Sequence, residues 1–209
     1  FETFPVFSAD GRALYFCSSK PYDIQSDYQK IKYSLCKIDF NSDNGTFGTK
    51  VDTLVSSSKL NKSVSFPRPS FDGKYLMFTL SDYGNFSIWH READLYLLTL
   101  STGAFRPISE VNSTDTESFH DWTTNSRWFV FSSRRGDGLY TRLYLASMDE
   151  NGKIGKPFLL PQKDPRFYDV SLFSYNVPEF ITAPVKVDVS EFERKAVSEE
   201  RKQMVYSKK

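Results

Sequence analysis

Residues 66–81, FPRPSFDGKYLMFTLS, read as a strand, a tight turn and a second strand. Ser70-Phe71-Asp72-Gly73 supplies the turn. Asp can bond its own backbone there, and Gly accepts a positive φ without a steric penalty. Lys74 to Thr79 then forms a β-prone run rich in aromatic side chains. The pattern recurs twice, as FPVFSADGRALYFCSS from Phe4 to Ser19 and FHDWTTNSRWFVFSSR from Phe119 to Arg134. Without gaps, Phe4, Phe66 and Phe119 align, as do Ser8, Ser70 and Thr123, then Arg12, Lys74 and Arg127, then Phe16, Phe78 and Phe131. The third copy has Asn125-Ser126 in place of Asp-Gly, which keeps turn chemistry. Successive copies start 62 and 53 residues apart, a spacing found in propellers and arrays.

Each copy is followed by a third strand: Tyr33–Phe40, Asp94–Leu100 and Arg142–Met148. Turns at Asn44-Gly45, Thr102-Gly103 and Asn151-Gly152 lead to short fourth strands at Asp52–Val55, Phe105–Ile108 and Pro157–Leu160. Four antiparallel strands per repeat make one propeller blade. The chain is therefore expected to be all-β, a β-propeller of four-stranded antiparallel blades, with Phe16, Phe78 and Phe131 buried at equivalent positions. Residues 1–161 carry the three blades, 162–189 an irregular or strand-like extension and 190–209 a charged helical tail. Ser190 and Glu193 have the spacing of a capping box for that tail. Three blades do not close a ring, so they are expected to be part of one with about six to eight. The start at Phe1, almost directly in a repeat, reads as a processed or truncated chain. Open blade flanks could be relieved by missing blades, by self-association, or by the segment from Lys163 to Val189 folding back.

The core Phe-Pro-x-x-Ser-x-Asp-Gly-Lys-x-Leu-x-Phe, with its following Leu-Tyr strand, resembles the WD-like repeat of TolB-type β-propellers. It is also similar to the propeller halves of prolyl-oligopeptidase and dipeptidyl-peptidase enzymes. The resemblance covers about residues 4–161 and implies a periplasmic or cell-surface binder of a protein or peptide. Fold alone does not fix function. The alternatives are the substrate-gating propeller of a peptidase whose catalytic domain lies elsewhere, and a surface carbohydrate binder.

Composition narrows the classes further. Nineteen Phe and twelve Tyr in 209 residues can build a large aromatic β core, and 27 basic against 26 acidic residues leave no basic excess for nucleic acid. No apolar run is long enough for a transmembrane helix. No G-x-S-x-G elbow, phosphate loop or metal-ligand spacing occurs, so no catalytic group, cofactor or metal is expected. Cys17 and Cys36 lie in neighbouring strands, either as a disulfide or as two buried thiols. His120 replaces a Pro of the other copies, either as a polar group on the channel rim or as a hydrogen-bonded histidine at a blade entrance.

Binding is expected on the face that carries the loops between second and third strands and the links between blades. Two of those loops are long inserts, Lys20–Lys32 and Asp82–Ala93. Tyr22, Tyr28, Tyr83, Trp89, His90 and Arg135 are the candidate binding residues, because aromatics and Arg on one loop face form hot spots. The run Arg134-Arg135-Gly136-Asp137-Gly138 reads either as a polar turn or as a carboxylate-recognising corner.

Overall fold

A computed structural model describes residues 1–198. Twelve strands form three four-stranded antiparallel sheets, each in simple sequence order. The first blade holds β1 (Glu2–Phe7), β2 (Ala13–Ser18), β3 (Ser34–Asn41) and β4 (Thr46–Val55). A short helix, α1 (Ser57–Leu60), leads to the second: β5 (Ser63–Pro69), β6 (Tyr75–Ser81), β7 (Asp94–Thr99) and β8 (Phe105–Pro107). The third holds β9 (Glu117–Trp122), β10 (Trp128–Ser133), β11 (Arg142–Ser147) and β12 (Phe158–Leu159). This is the propeller blade plan expected from the repeat.

The aligned Ser/Thr and Asp/Asn positions build the same turn three times. The hydroxyl of Ser8 donates to Asp10 (2.6 Å), that of Ser70 to Asp72 (2.7 Å) and that of Thr123 to Asn125 (2.7 Å). The same hydroxyls accept the backbone N–H of Ala13, Tyr75 and Trp128 at 2.9, 3.0 and 3.0 Å. Gly11, Gly73 and Ser126 all take positive φ (68°, 69° and 56°), so the serine of the third copy carries the strain that glycine avoids. Its hydroxyl accepts the Asp72 N–H at 3.0 Å, tying the turns of the second and third blades together.

Phe4, Phe66 and Phe119 are also left-handed (53°, 51° and 49°), each at a register shift in the first strand of its blade. The bulge turns the three rings toward one another. Their centroids lie 4.0 and 4.5 Å apart in sequence, the first pair tilted and the second edge-on, a seam of rings along the inner strands.

The hydrophobic core lies between blades. Tyr15, Cys17 and Leu35 of the first blade meet Leu76, Phe78 and Leu80 of the second. Met77, Leu95 and Leu97 on the other face of the second meet Trp122, Phe129 and Phe131 of the third. Period-two alternation thus makes the middle blade apolar on both faces. Phe78 and Phe131 are fully buried, but Phe16 is only half-buried. It is the register equivalent of the other two, and its side faces away from the second blade, where no blade covers it. With Leu14, Ile38, Phe40, Phe47 and Val51 it forms an open apolar flank.

Cys17 and Cys36 are free, buried thiols. Cys36 pairs across from Phe16 and Cys17 from Leu35, so the two point to opposite faces of the sheet and cannot bond.

After β12 the chain folds back across the third blade, from Arg142 of β11 past Ser132 of β10 to Asp121 of β9, which accepts the Phe180 N–H at 2.9 Å. Its only regular element up to residue 188 is one helical turn, α2 (Phe167–Val170), with no strand, unlike the strand-like reading of the aromatic alternation. Ser132 donates to the Tyr175 carbonyl (2.8 Å), and the buried Arg142 donates to the carbonyls of Ser171 (2.9 Å), Tyr168 (3.4 Å) and Phe173. The tail helix α3 (Val189–Ala196) is capped by Asp188, not Ser190. The Asp188 carboxylate accepts both the N–H and the hydroxyl of Ser190 (3.0 and 2.6 Å), so Ser190 is spent as a donor. The expected helix beyond residue 198 lies outside the described residues.

Candidate functional site

The long inserts and the links between blades meet on one face. The Gly84 N–H donates to the Ile31 carbonyl (2.8 Å), and Ser63 donates to that of Gly84 (2.6 Å), joining the first two inserts to a blade link. Lys32 donates to the carbonyl of Asn61 in that link (2.8 Å). The second insert is anchored beneath by Ser87, whose hydroxyl lies 2.6 Å from that of Ser118 at the start of the third blade. Its one-turn 3-10 segment Ser87–Trp89 buries Ser87 and Ile88 and throws Trp89 outward.

Three of the expected residues form a row. The Tyr28 ring stands edge-on to Tyr83 at 5.6 Å, and Tyr83 edge-on to His90 at 4.4 Å. His90 Nδ1 lies 3.0 Å from Glu92 Oε1, which also accepts the Asp82 N–H (3.1 Å). Lys62 closes the other side of Asp82 as an ion pair and holds that carboxyl below its usual range. Tyr22 stands apart, in a cleft of about 750 Å³ on the first blade lined by Lys20, Lys30, Lys32 and several serines.

Trp89 is 75% exposed and lies across the guanidinium of Arg134, 5.5 Å from its centre. With Arg91, Asp115 and Gly138 these two line a smaller cleft of about 320 Å³. Arg135 does not join any of these groups. It pairs with the fully buried Glu117 at 2.9 Å and donates to the Val111 carbonyl at 2.7 Å. Its guanidinium lies on the rings of Tyr144 (4.6 Å) and Phe131 (5.2 Å). Glu117 is further held by Ser113 and Ser133 at 2.6 and 2.8 Å. Arg135 is thus an internal tie, and its neighbour Arg134 is the arginine at the surface. The sequence singled out the pair, but the partner that separates them lies 18 residues away in another strand. Arg91 belongs to the aromatic- and Arg-bearing insert that the sequence singles out, whereas the three lysines carry no signal beyond their charge.

His120 is not on a channel rim. It is buried, its ring nitrogens turned toward the backbone of Met77 and Phe66 without a well-formed hydrogen bond. Burial pushes its pKa down to about 3, so the ring is neutral. No group of three or more His, Cys, Asp or Glu suited to a metal occurs among the described residues.

No protein-family model matches the sequence. No curated protein matches it either. Solved structures do. An ancestral GH74 enzyme superposes with a TM-score of 0.51 at 12% identity, over 75% of this chain and 18% of that one. A Mycobacterium tuberculosis puromycin-hydrolyzing peptidase gives 0.50 at 13% identity, over 77% and 23%. TolB from Acinetobacter baumannii gives 0.46 at 20% identity, over 75% and 32%. The chain spans a third or less of the length of each. At these identities the likeness is one of fold alone.

Proposed function

We propose that the chain is a non-enzymatic binding module that takes a protein or peptide partner on its insert face. One observation carries this reading: the two faces of the blade stack differ in kind. One holds the tight Ser/Thr-x-Asp/Asn turns and their opposite numbers, closed by their own hydrogen bonds, with Phe71 as a half-exposed ring in one turn. The other gathers the inserts, the blade links and the exposed side chains of Tyr28, Phe86, Trp89 and Leu139. Exposed aromatics on a scaffold fixed from below are the anchors that protein interfaces use. Neither histidine is hydrogen-bonded to a serine or cysteine, which favours binding over nucleophilic catalysis. The resemblance of the repeat to TolB-type propellers favours a periplasmic or cell-surface setting.

Selection of displayed random peptides on the immobilised chain tests the reading. Selected peptides should lose binding to a Tyr28→Ala, Trp89→Ala double variant that unfolds at the same temperature as the parent. Peptides that bind both proteins equally, or that are cleaved by the parent, would contradict it.

A further inference from the structure

The cleft between Trp89 and Arg134 holds a guanidinium with no close ion-pair partner among the described residues, although its charge helps to lower the Asp137 carboxyl nearby. Arg134 is half-buried, and its donors reach two main-chain carbonyls, Ile88 (3.5 Å) and Gly138. Its Nε is sealed from solvent without a partner. No carboxylate lies within ion-pair distance of it among the described residues, whereas Arg135 beside it has Glu117 and Arg142 has Asp137. The guanidinium is held in place by the Trp89 ring on one side and the Gly138 turn on the other. Arg91, 78% exposed at its side chain, borders the same cleft and is fixed by a bond from its Nε to the Thr114 carbonyl (3.1 Å). The cleft contains a single acid, Asp115, 4.0 Å from the Arg91 Nε. Asp115 is itself occupied, accepting the Thr116 N–H at 2.8 Å. Two guanidinium groups therefore face one another's space with one carboxylate between them. Planar guanidinium forks match carboxylates, and a fork already ordered loses less entropy on binding.

We infer that the Trp89, Arg91 and Arg134 corner is a binding site for a peptide carboxylate, with an adjoining apolar or aromatic residue laid on the open face of Trp89. The volume of about 320 Å³ suits one or two residues rather than a folded surface. The inference rests on the insert face being the binding face and names the chemistry of one point on it. The carboxylate belongs either to a chain terminus or to an Asp or Glu side chain.

The test is titration of the ¹⁵N-labelled chain, followed by NMR, with three probes: N-acetyl-Gly-Ala-Phe with a free C-terminus, its C-terminal amide, and N-acetyl-Gly-Glu-Phe amide. The first or the third should shift the Trp89 indole N–H, the Arg134 Nε–H and the amides of residues 134–138, and the uncharged amide should not. Whichever acid binds more tightly identifies the source of the carboxylate. Arg134→Gln should weaken that probe by about tenfold or more, as expected for loss of a charge-assisted fork. Should Arg134→Gln misfold, Arg91→Gln carries the test, since its side chain is exposed and its loss should also weaken the acid probe alone. Equal binding of acid and amide, tighter binding of sodium glucuronate than of either acid peptide, or no shift at millimolar probe would overturn the assignment. Shifts confined to Tyr22, Tyr28 and Lys32 would overturn it too, while leaving the insert face as the binding face.

Discussion

At the residue scale, a side chain's worth is set by what lies across the blade boundary. Phe78→Ala should cost about 3–5 kcal/mol, because the ring is sealed between two blades. Phe16→Ala, at the same position of its repeat, should cost about 1–2 kcal/mol, since one side of the ring already faces water. Urea unfolding of the two variants checks the difference. The equivalence of the two phenylalanines was legible from the repeat, but the burial was not, because it depends on a neighbour that alignment does not show. His120 gives a pH effect with a definite sign. Its pKa is about 3 in the folded chain and near 6.5 when unfolded, so the unfolded chain binds the extra proton between those values. Stability should therefore fall with acidification from pH 6.5 toward 3, by about 1.4 kcal/mol per unit from this group. Asp94 acts in the opposite sense. Burial and then Glu117 raise its pKa to about 6, so its proton is held more tightly when folded and favours the folded chain below that pH. The difference between the parent and His120→Leu isolates the histidine: the variant should lose less stability between pH 7 and pH 5. Equal losses would show that His120 already finds a partner for its proton.

At the element scale, the inserts and the trailing segment differ in how they are fastened. Trp89→Ala should leave stability within about 0.5 kcal/mol, because the side chain packs on a guanidinium and otherwise faces solvent. Arg135→Ala removes three side-chain hydrogen bonds and two ring contacts and should cost about 3–5 kcal/mol by stranding the charge of Glu117 in the core. Thermal unfolding of the pair distinguishes the surface arginine corner from the internal tie next to it. Arg142 is the main side-chain tie of the trailing segment, beside Ser132, Thr141 and Asp121. Arg142→Met removes the donor shared by the carbonyls of Tyr168, Ser171 and Phe173, and should raise hydrogen exchange across residues 167–176 while β10 and β11 stay protected. The hairpins could be read in the sequence because Ser-x-Asp-Gly chemistry is local. The tail cap could not, since Asp188 and Ser190 both suit the role and the helix starts two residues earlier than the box implies. The segment after Pro161 was equally opaque, because its carbonyls answer an arginine from another strand rather than a local partner.

At the scale of the whole molecule, three blades leave an apolar flank on the first. Phe7, Phe47 and Val51 are about half exposed there, and Phe40 bridges the first two rings at 5.1 and 4.9 Å. Soluble chains seldom leave such a patch uncovered. Sedimentation should show average mass rising with concentration, and Phe47→Lys should abolish the rise by placing a charge on the flank. A parent chain that stays monomeric throughout would show that water tolerates the patch. A second asymmetry separates the insert face, which binds, from the turn face. Hydrogen–deuterium exchange of the chain, free and saturated with a selected peptide, tests it most directly. Protection should fall on residues 20–32, 82–93 and 134–141 and spare the turns at 9–12, 71–74 and 124–127. Protection centred on those turns instead would place binding on the opposite face and contradict the account.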